Sequence, residues 1–180
     1  MRVFIAVDIP DDIKKPILEL QKEIKKFINY KEVEKENLHI TLKFLGEINE
    51  KQFEYIKNNL EKINYRKFEC SLIGVGAFPS INYPRVIWVG VGEGKDHFKN
   101  LFNYIESFSS VIRKEGKKYE PHLTIGRVKY TLDKENWLKF WNRNKNKFFG
   151  KFLVDKIKIK KSILMYKGPI YEDLYVKELS

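Results

Sequence analysis

The stretch Pro121–Arg127, "PHLTIGR", sets His122 two residues before Thr124 inside a run that otherwise reads as a buried strand. The stretch His39–Gly46, "HITLKFLG", does the same with His39 and Thr41. The 180-residue chain has only three histidines (His39, His97, His122) and three threonines (Thr41, Thr124, Thr131). Random placement would give two such pairs on the order of once in a thousand chains of this composition. The repeat is a signal.

In a strand, residues i and i+2 point to the same face. His39 and Thr41 therefore share one face, with Ile40, Leu42 and Phe44 expected in the core. His122 and Thr124 share another, with Leu123 and Ile125 buried. If the two strands are related by an approximate two-fold axis, the pairs meet across one cleft. Imidazole titrates near pH 6.5, so near neutrality one ring can donate a proton while the other accepts one. That suits displacement at phosphorus, where one histidine activates the nucleophile and the other protonates the departing oxygen. The threonine hydroxyls can bond the non-bridging oxygens, and no metal or other cofactor is required.

Arg127 is a further candidate, because its guanidinium fork grips two phosphate oxygens. Strict alternation from His122 would place it on the core face. Gly126 offers an escape, since a glycine inside a strand often marks a bulge that re-aims the next side chain. By simple alternation Lys43 shares the face of His39 and Thr41 and would supply charge there. His97 has no partner pattern and is expected at the surface.

The surrounding sequence repeats an order of strand, helix, His-x-Thr strand, helix, strand. Strands are expected at 2–8, 37–45, 67–78, 85–91, 121–129 and 151–160, with two more at 162–166 and 173–179. Helices are expected over 11–28, 50–63, 95–114 and 133–142, the first carrying Ile13, Ile17, Leu20, Ile24 and Ile28 at near-helical spacing. This predicts an α+β protein with two pseudo-symmetric lobes, mainly antiparallel sheets facing a central cleft, and helices outside. No linker separates approximate halves 1–84 and 85–180, so residues 1–180 read as a single bilobal domain whose lobes exchange terminal strands.

Composition fits a globular protein, with 43% hydrophobic and 33% charged residues. No apolar run approaches the ~18 residues of a membrane span, and "MRVFIAVDIPDD" turns acidic too soon for a signal peptide. A cytoplasmic monomer is expected. The single Cys70 excludes an intrachain disulfide and a cysteine-based zinc cluster. A net charge of +11 suits a polyanionic partner, but also a charged, heat-adapted surface. "GVGEGKDH" (90–97) fails the dinucleotide and phosphate-loop patterns, because Lys95 replaces the third glycine and Asp96 the Ser/Thr. It reads as a tight turn. "KFWNRNKNKFFGK" (139–151) interleaves bases and aromatics, which either touch RNA or anchor a helix end.

With "RVFIAVDIP" before them, "RVIWVG" between them and "GPIYEDLYVKEL" at the close, the paired His-x-Thr tetrads resemble those of the two-histidine phosphoesterases. Within that superfamily the chain is similar to the RNA 2′,3′-cyclic phosphodiesterases, also called 2′-5′ RNA ligases. The resemblance implies a bilobal fold with a cleft for RNA ends, tRNA fragments among them, and opening of a terminal 2′,3′-cyclic phosphate to a 2′-phosphate. It implies His39 as the general acid toward O3′ and His122 as the general base on water. Thr41, Thr124 and Arg127 would hold the phosphate. Run backwards, the same machinery joins a 5′-hydroxyl to the cyclic phosphate without ATP. Phe4, Phe78, Tyr83 and Trp88 are possible stacking residues, though each reads more readily as core than as contact. Two alternatives stay open: a phosphodiesterase acting on a small cyclic phosphate, such as one derived from ADP-ribose, and a non-catalytic RNA-binding module.

Overall fold

A computed structural model describes residues 1–180. The elements run β1 (Arg2–Asp8), α1 (Lys14–Ile24), β2 (Ile28–Glu32), β3 (His39–Glu47), α2 (Glu50–Glu61), β4 (Phe68–Pro79), β5 (Pro84–Val91), α3 (Lys95–Ser109), β6 (His122–Thr131), α4 (Lys134–Asn144), β7 (Phe148–Val154), β8 (Lys156–Met165) and β9 (Gly168–Glu178). All strand pairings are antiparallel, in the order β7-β4-β5-β6-β3-β1-β8-β9, with β2 joining β6.

The order is palindromic about the β6–β3 junction. β5, β4 and β7 flank β6 as β1, β8 and β9 flank β3. The junction itself is slight, a single register pair between Ile40 and Leu123. Past it β6 parts from β3 and takes β2 as a partner from Gly126 onward. The curled sheet therefore hinges into two lobes where the two His-x-Thr strands touch.

Helices cover the convex side. α3 packs on β3 and α2 on α3 and β9, while α1 lies against β6 and β7 and α4 against β4. Their apolar stripes supply Ile17, Leu20 and Ile24 from α1, Ile56 and Leu60 from α2, Phe98, Leu101 and Ile105 from α3, and Trp137 and Phe140 from α4. Asn49 caps α2 in a reciprocal box with Gln52, and Asp133 accepts from the Asn136 backbone N–H at the start of α4.

Several element boundaries differ from the sequence reading, among them the end of α3 at Ser109 rather than 114. The first helix stops at Ile24, and Ile28 instead opens β2. Ile28 and Tyr30 are buried at period two, so an i,i+4 isoleucine spacing is met by a turn and a strand rather than by another helical turn. The expected strand 151–160 is two strands broken at Asp155, and β8 runs on to Met165 to form a long hairpin with β9. "GVGEGKDH" is the turn before α3, with Gly94 at φ +92 and no room for a Cβ against the Glu69 carbonyl. Cys70 is buried, and burial pushes its thiol up to about 12.

Candidate active site

The two tetrads are built alike. In β3, Thr41 pairs with Ala6 and Lys43 with Ile5, leaving Leu42 as an extra residue. In β6, Thr124 pairs with Trp88 and Gly126 with Ile87, leaving Ile125 extra. Each strand thus carries a β-bulge at the fourth tetrad position, and each bulge reverses the facing of the residues after it. From the histidine onward both strands show half-buried, buried, half-buried, buried, buried, exposed.

The consequence for Arg127 is decisive. The bulge at Ile125 turns it onto the face of His122 and Thr124, where it lines the cleft with Thr124, Thr41 and His39. Gly126 is required here for a separate reason: a Cβ would lie 2.1 Å from the Tyr30 ring and 3.1 Å from the Lys31 carbonyl oxygen.

The same bulge in β3 corrects two expectations. Lys43 faces inward, its side chain fully buried, with Nζ 2.7 Å from Oε2 of Glu106 on α3. It supplies no charge to the cleft. Phe44, expected in the core, is exposed at 53% and lines the cleft.

Both histidines are held by a backbone carbonyl two residues upstream. His39 Nδ1 lies 2.7 Å from the Asn37 oxygen and His122 Nδ1 lies 2.8 Å from the Glu120 oxygen. A carbonyl only accepts, so in both rings Nδ1 carries the proton and Nε2 is left for chemistry. The Thr41 hydroxyl donates to Nε2 of neutral His39 at 3.0 Å. Burial lowers the pKa of both rings. The Asn37 bond opposes this for His39, and the Glu120 bond and charge oppose it for His122. Behind His39, Asp8 stands opposite it in the register and joins Lys158, Lys160 and Asp173 in a four-membered ion cluster with contacts of 2.7–3.0 Å. Lys160 and Asp8 act on His39 in opposite senses.

Aromatic rings brace each imidazole. Phe4 and Tyr171 lie 5.0 and 5.4 Å from His39, and Phe78 and Trp88 lie 5.0 and 6.2 Å from His122. Tyr83 is exposed under Lys134 and takes no part in this bracing. His97 is not a free surface group, since it stacks on Phe68 and bonds the Tyr65 hydroxyl. In 139–151 the indole of Trp141 donates to the Val75 carbonyl at 2.8 Å and anchors α4 to β4.

The cleft holds about 530 Å³ and lies on the His39 side, with His122 outside its lining. Arg2, Lys31, Arg113, Arg127 and Lys167 line it against Glu32 and Glu34. A concave site with excess positive charge, lined by His39 and with His122 across the β3–β6 junction beside it, suits an anionic ester.

A model of the LigT-like phosphoesterases matches residues 7–88. An RNA 2′,3′-cyclic phosphodiesterase of Methanocaldococcus jannaschii is 41% identical over 96% of this chain and 97% of its own. The chain belongs to the LigT-like phosphoesterase family. A second relative, the RNA 2′,3′-cyclic phosphodiesterase of Archaeoglobus fulgidus, is 38% identical over 99% of this chain and all of its own. The crystal structure of a Thermus thermophilus protein superposes with a TM-score of 0.81 at 27% identity, covering 99% of this chain and 98% of that one.

In this LigT-like phosphoesterase the sequence reading located His39, Thr41, His122, Thr124 and Arg127, and the fold brings them to one junction. It missed Arg2, Lys31, Arg113, Lys167 and Phe44 as cleft residues, and Tyr171 as the edge-on neighbour of His39. These come from β1, β2, the segment after α3, the β8–β9 hairpin, β3 and β9, and no local pattern links them. No helix is long and apolar enough to cross a membrane.

Proposed function

We propose that this protein, working as a monomer and a single bilobal domain, opens 2′,3′-cyclic phosphates at RNA ends, including those of tRNA fragments, to leave a 2′-phosphate. His39 protonates the departing O3′, and His122 takes the proton from the attacking water. Thr41, Thr124 and Arg127 hold the non-bridging oxygens. The observation that carries the reading is the matched pair of bulged His-x-Thr strands, each with Nδ1 bound to a carbonyl and Nε2 left for proton transfer. The relatives' activity supports the substrate class.

The asymmetry of the cleft supports the division of labour. The enclosed volume lies on the His39 side, so the nucleoside belongs there, and the ribose O3′ freed when P–O3′ breaks takes its proton from that side while the phosphate stays on O2′. Water then attacks from the side of His122, in line with the P–O3′ bond. When His39 is protonated, Nε2 no longer accepts from Thr41, and the hydroxyl is released to the phosphate. Neither proton transfer calls on a metal. A 5′-hydroxyl attacking in place of water, with O3′ departing in the same way, gives a 2′-5′ bond.

The test is a short RNA with a 2′,3′-cyclic end incubated with the protein in EDTA, with products resolved as 2′- or 3′-phosphate. A 2′-phosphate is expected. An untouched RNA end combined with turnover of a small cyclic phosphate would replace the substrate class.

A further inference from the structure

The β8–β9 hairpin does two things that sheet formation does not explain. It walls the cleft with Leu164, Lys167, Gly168 and Pro169, and its tip holds Met165 and a fully exposed Tyr166 in water. It is also clasped to the opposite wall. Lys31 Nζ donates to the Lys167 carbonyl at 2.8 Å, and Asn37 Nδ2 donates to the Pro169 carbonyl at 2.9 Å. Asn37 is the residue whose own carbonyl orients His39. The tip is thus a fixed apolar platform registered to the acid side of the site.

From Tyr171, edge-on to His39, β9 leads back through Ile170, Pro169 and Gly168 to this tip, a path of roughly 10–15 Å. Resting on the proposed reaction, the nucleoside sits on the His39 side, so the RNA chain 5′ of the cyclic phosphate leaves the cleft along that path. The basic lining continues with it, as Arg2 pairs with Ser162 at the base of the hairpin and Lys31 reaches Lys167 from the facing wall. Lysines for phosphates beside an exposed aromatic for a base face are the two elements of single-strand recognition.

We propose that the hairpin tip, through Tyr166 and Met165, is a stacking platform for the nucleotides 5′ of the cyclic end, and makes the enzyme prefer an oligonucleotide over a nucleoside cyclic phosphate. Its occupant is single-stranded RNA. Charge complementarity and continuity with the cleft select RNA over an apolar protein partner.

The experiment compares kcat/KM for a nucleoside 2′,3′-cyclic phosphate and for a hexanucleotide with the same end, using wild type and the double variant Tyr166→Ser/Met165→Ser. Neither residue lines the cleft, so turnover of the mononucleotide is expected unchanged. For the hexanucleotide the variant is expected to lose about tenfold through KM. Fluorescence anisotropy with a hexanucleotide already ending in 2′-phosphate is expected to show a similar loss of affinity. That readout needs no turnover, so failure of the proposed reaction and failure of the platform are separable. Equal use of both substrates by wild type, or an unchanged length preference and affinity in the variant, overturns the proposal. So does concentration-dependent self-association of wild type that the variant abolishes, which would assign the tip to a second copy of the chain.

Discussion

Phe44 on β3 and Arg127 on β6 occupy equivalent places: each follows its histidine by five residues, and each is turned onto the cleft by a bulge at the fourth tetrad position. The two-fold relation therefore extends beyond the histidines and threonines, and it ends in unlike chemistry. One strand delivers an aromatic ring and the other a guanidinium. A symmetric frame presents an asymmetric ester with one face for apolar contact and one for charge.

Arg127 is expected to act through its fork as well as its charge. Arg127→Lys keeps the charge but loses bidentate geometry, and kcat/KM on a cyclic-phosphate end should fall about tenfold, with Arg127→Gln falling further. Steady-state kinetics checks the order. Equal values for lysine and arginine would show that charge alone is used.

Gly126→Ala pushes a methyl group against the Tyr30 ring and the Lys31 carbonyl. Overpacking of this kind costs typically 1–3 kcal/mol, so urea unfolding should show a loss of about 2 kcal/mol. Because the bulge aims Arg127, KM should rise as well. A silent substitution would mean that Tyr30 moves aside freely.

Lys43 and Glu106 test whether the buried lysine serves structure or substrate. Removing one partner of a buried pair costs roughly 3–5 kcal/mol by stranding the other charge. Glu106 is partly exposed and Lys43 is not, so Glu106→Ala strands the buried ammonium and should destabilise by about 3 kcal/mol. Lys43→Met leaves only a carboxylate within reach of water, and should cost less and leave KM unchanged. A raised KM in folded Lys43→Met would return this lysine to the phosphate.

The pH profile has a definite sign. Burial lowers both histidines below the usual 6.5. Activity falls on the alkaline side as His39 loses the proton it must donate, and on the acid side as His122 gains one. The bell in kcat/KM, which reports the free enzyme, should therefore peak below pH 6.5. The bound phosphate anion favours imidazolium, so the kcat profile should shift upward. A flat profile from pH 5 to 8 would contradict the acid–base pair.

Much of this site was legible because its rarest residues recur at a fixed offset in strands, where the period of two is strict. Arg127 was legible only with the hint of Gly126. Lys43 and Phe44 were misplaced because the first bulge, at Leu42, carries no glycine and leaves no mark in the sequence. β2 was lost because Ile24 and Ile28 satisfy a helical spacing that a turn at Lys25–Phe27 meets equally well. The cleft walls were not legible at all. Arg2 and Tyr171 are brought together by strand order across the whole chain, and Arg113 by the segment that follows α3, and neither is set by any local pattern.

The central claim, that His39 gives its proton to O3′ while His122 takes one from water, is tested most directly by changing the leaving atom. An RNA end whose cyclic phosphate bears sulfur at the 3′ bridging position needs little acid assistance, because a thiolate departs unprotonated. His39→Ala and His122→Ala are each expected to lose a hundredfold or more on the ordinary substrate. On the 3′-thio substrate His39→Ala should return to within about tenfold of wild type, while His122→Ala stays impaired. Rescue of His122→Ala instead would reverse the two roles, and rescue of neither would remove His39 as the acid at O3′.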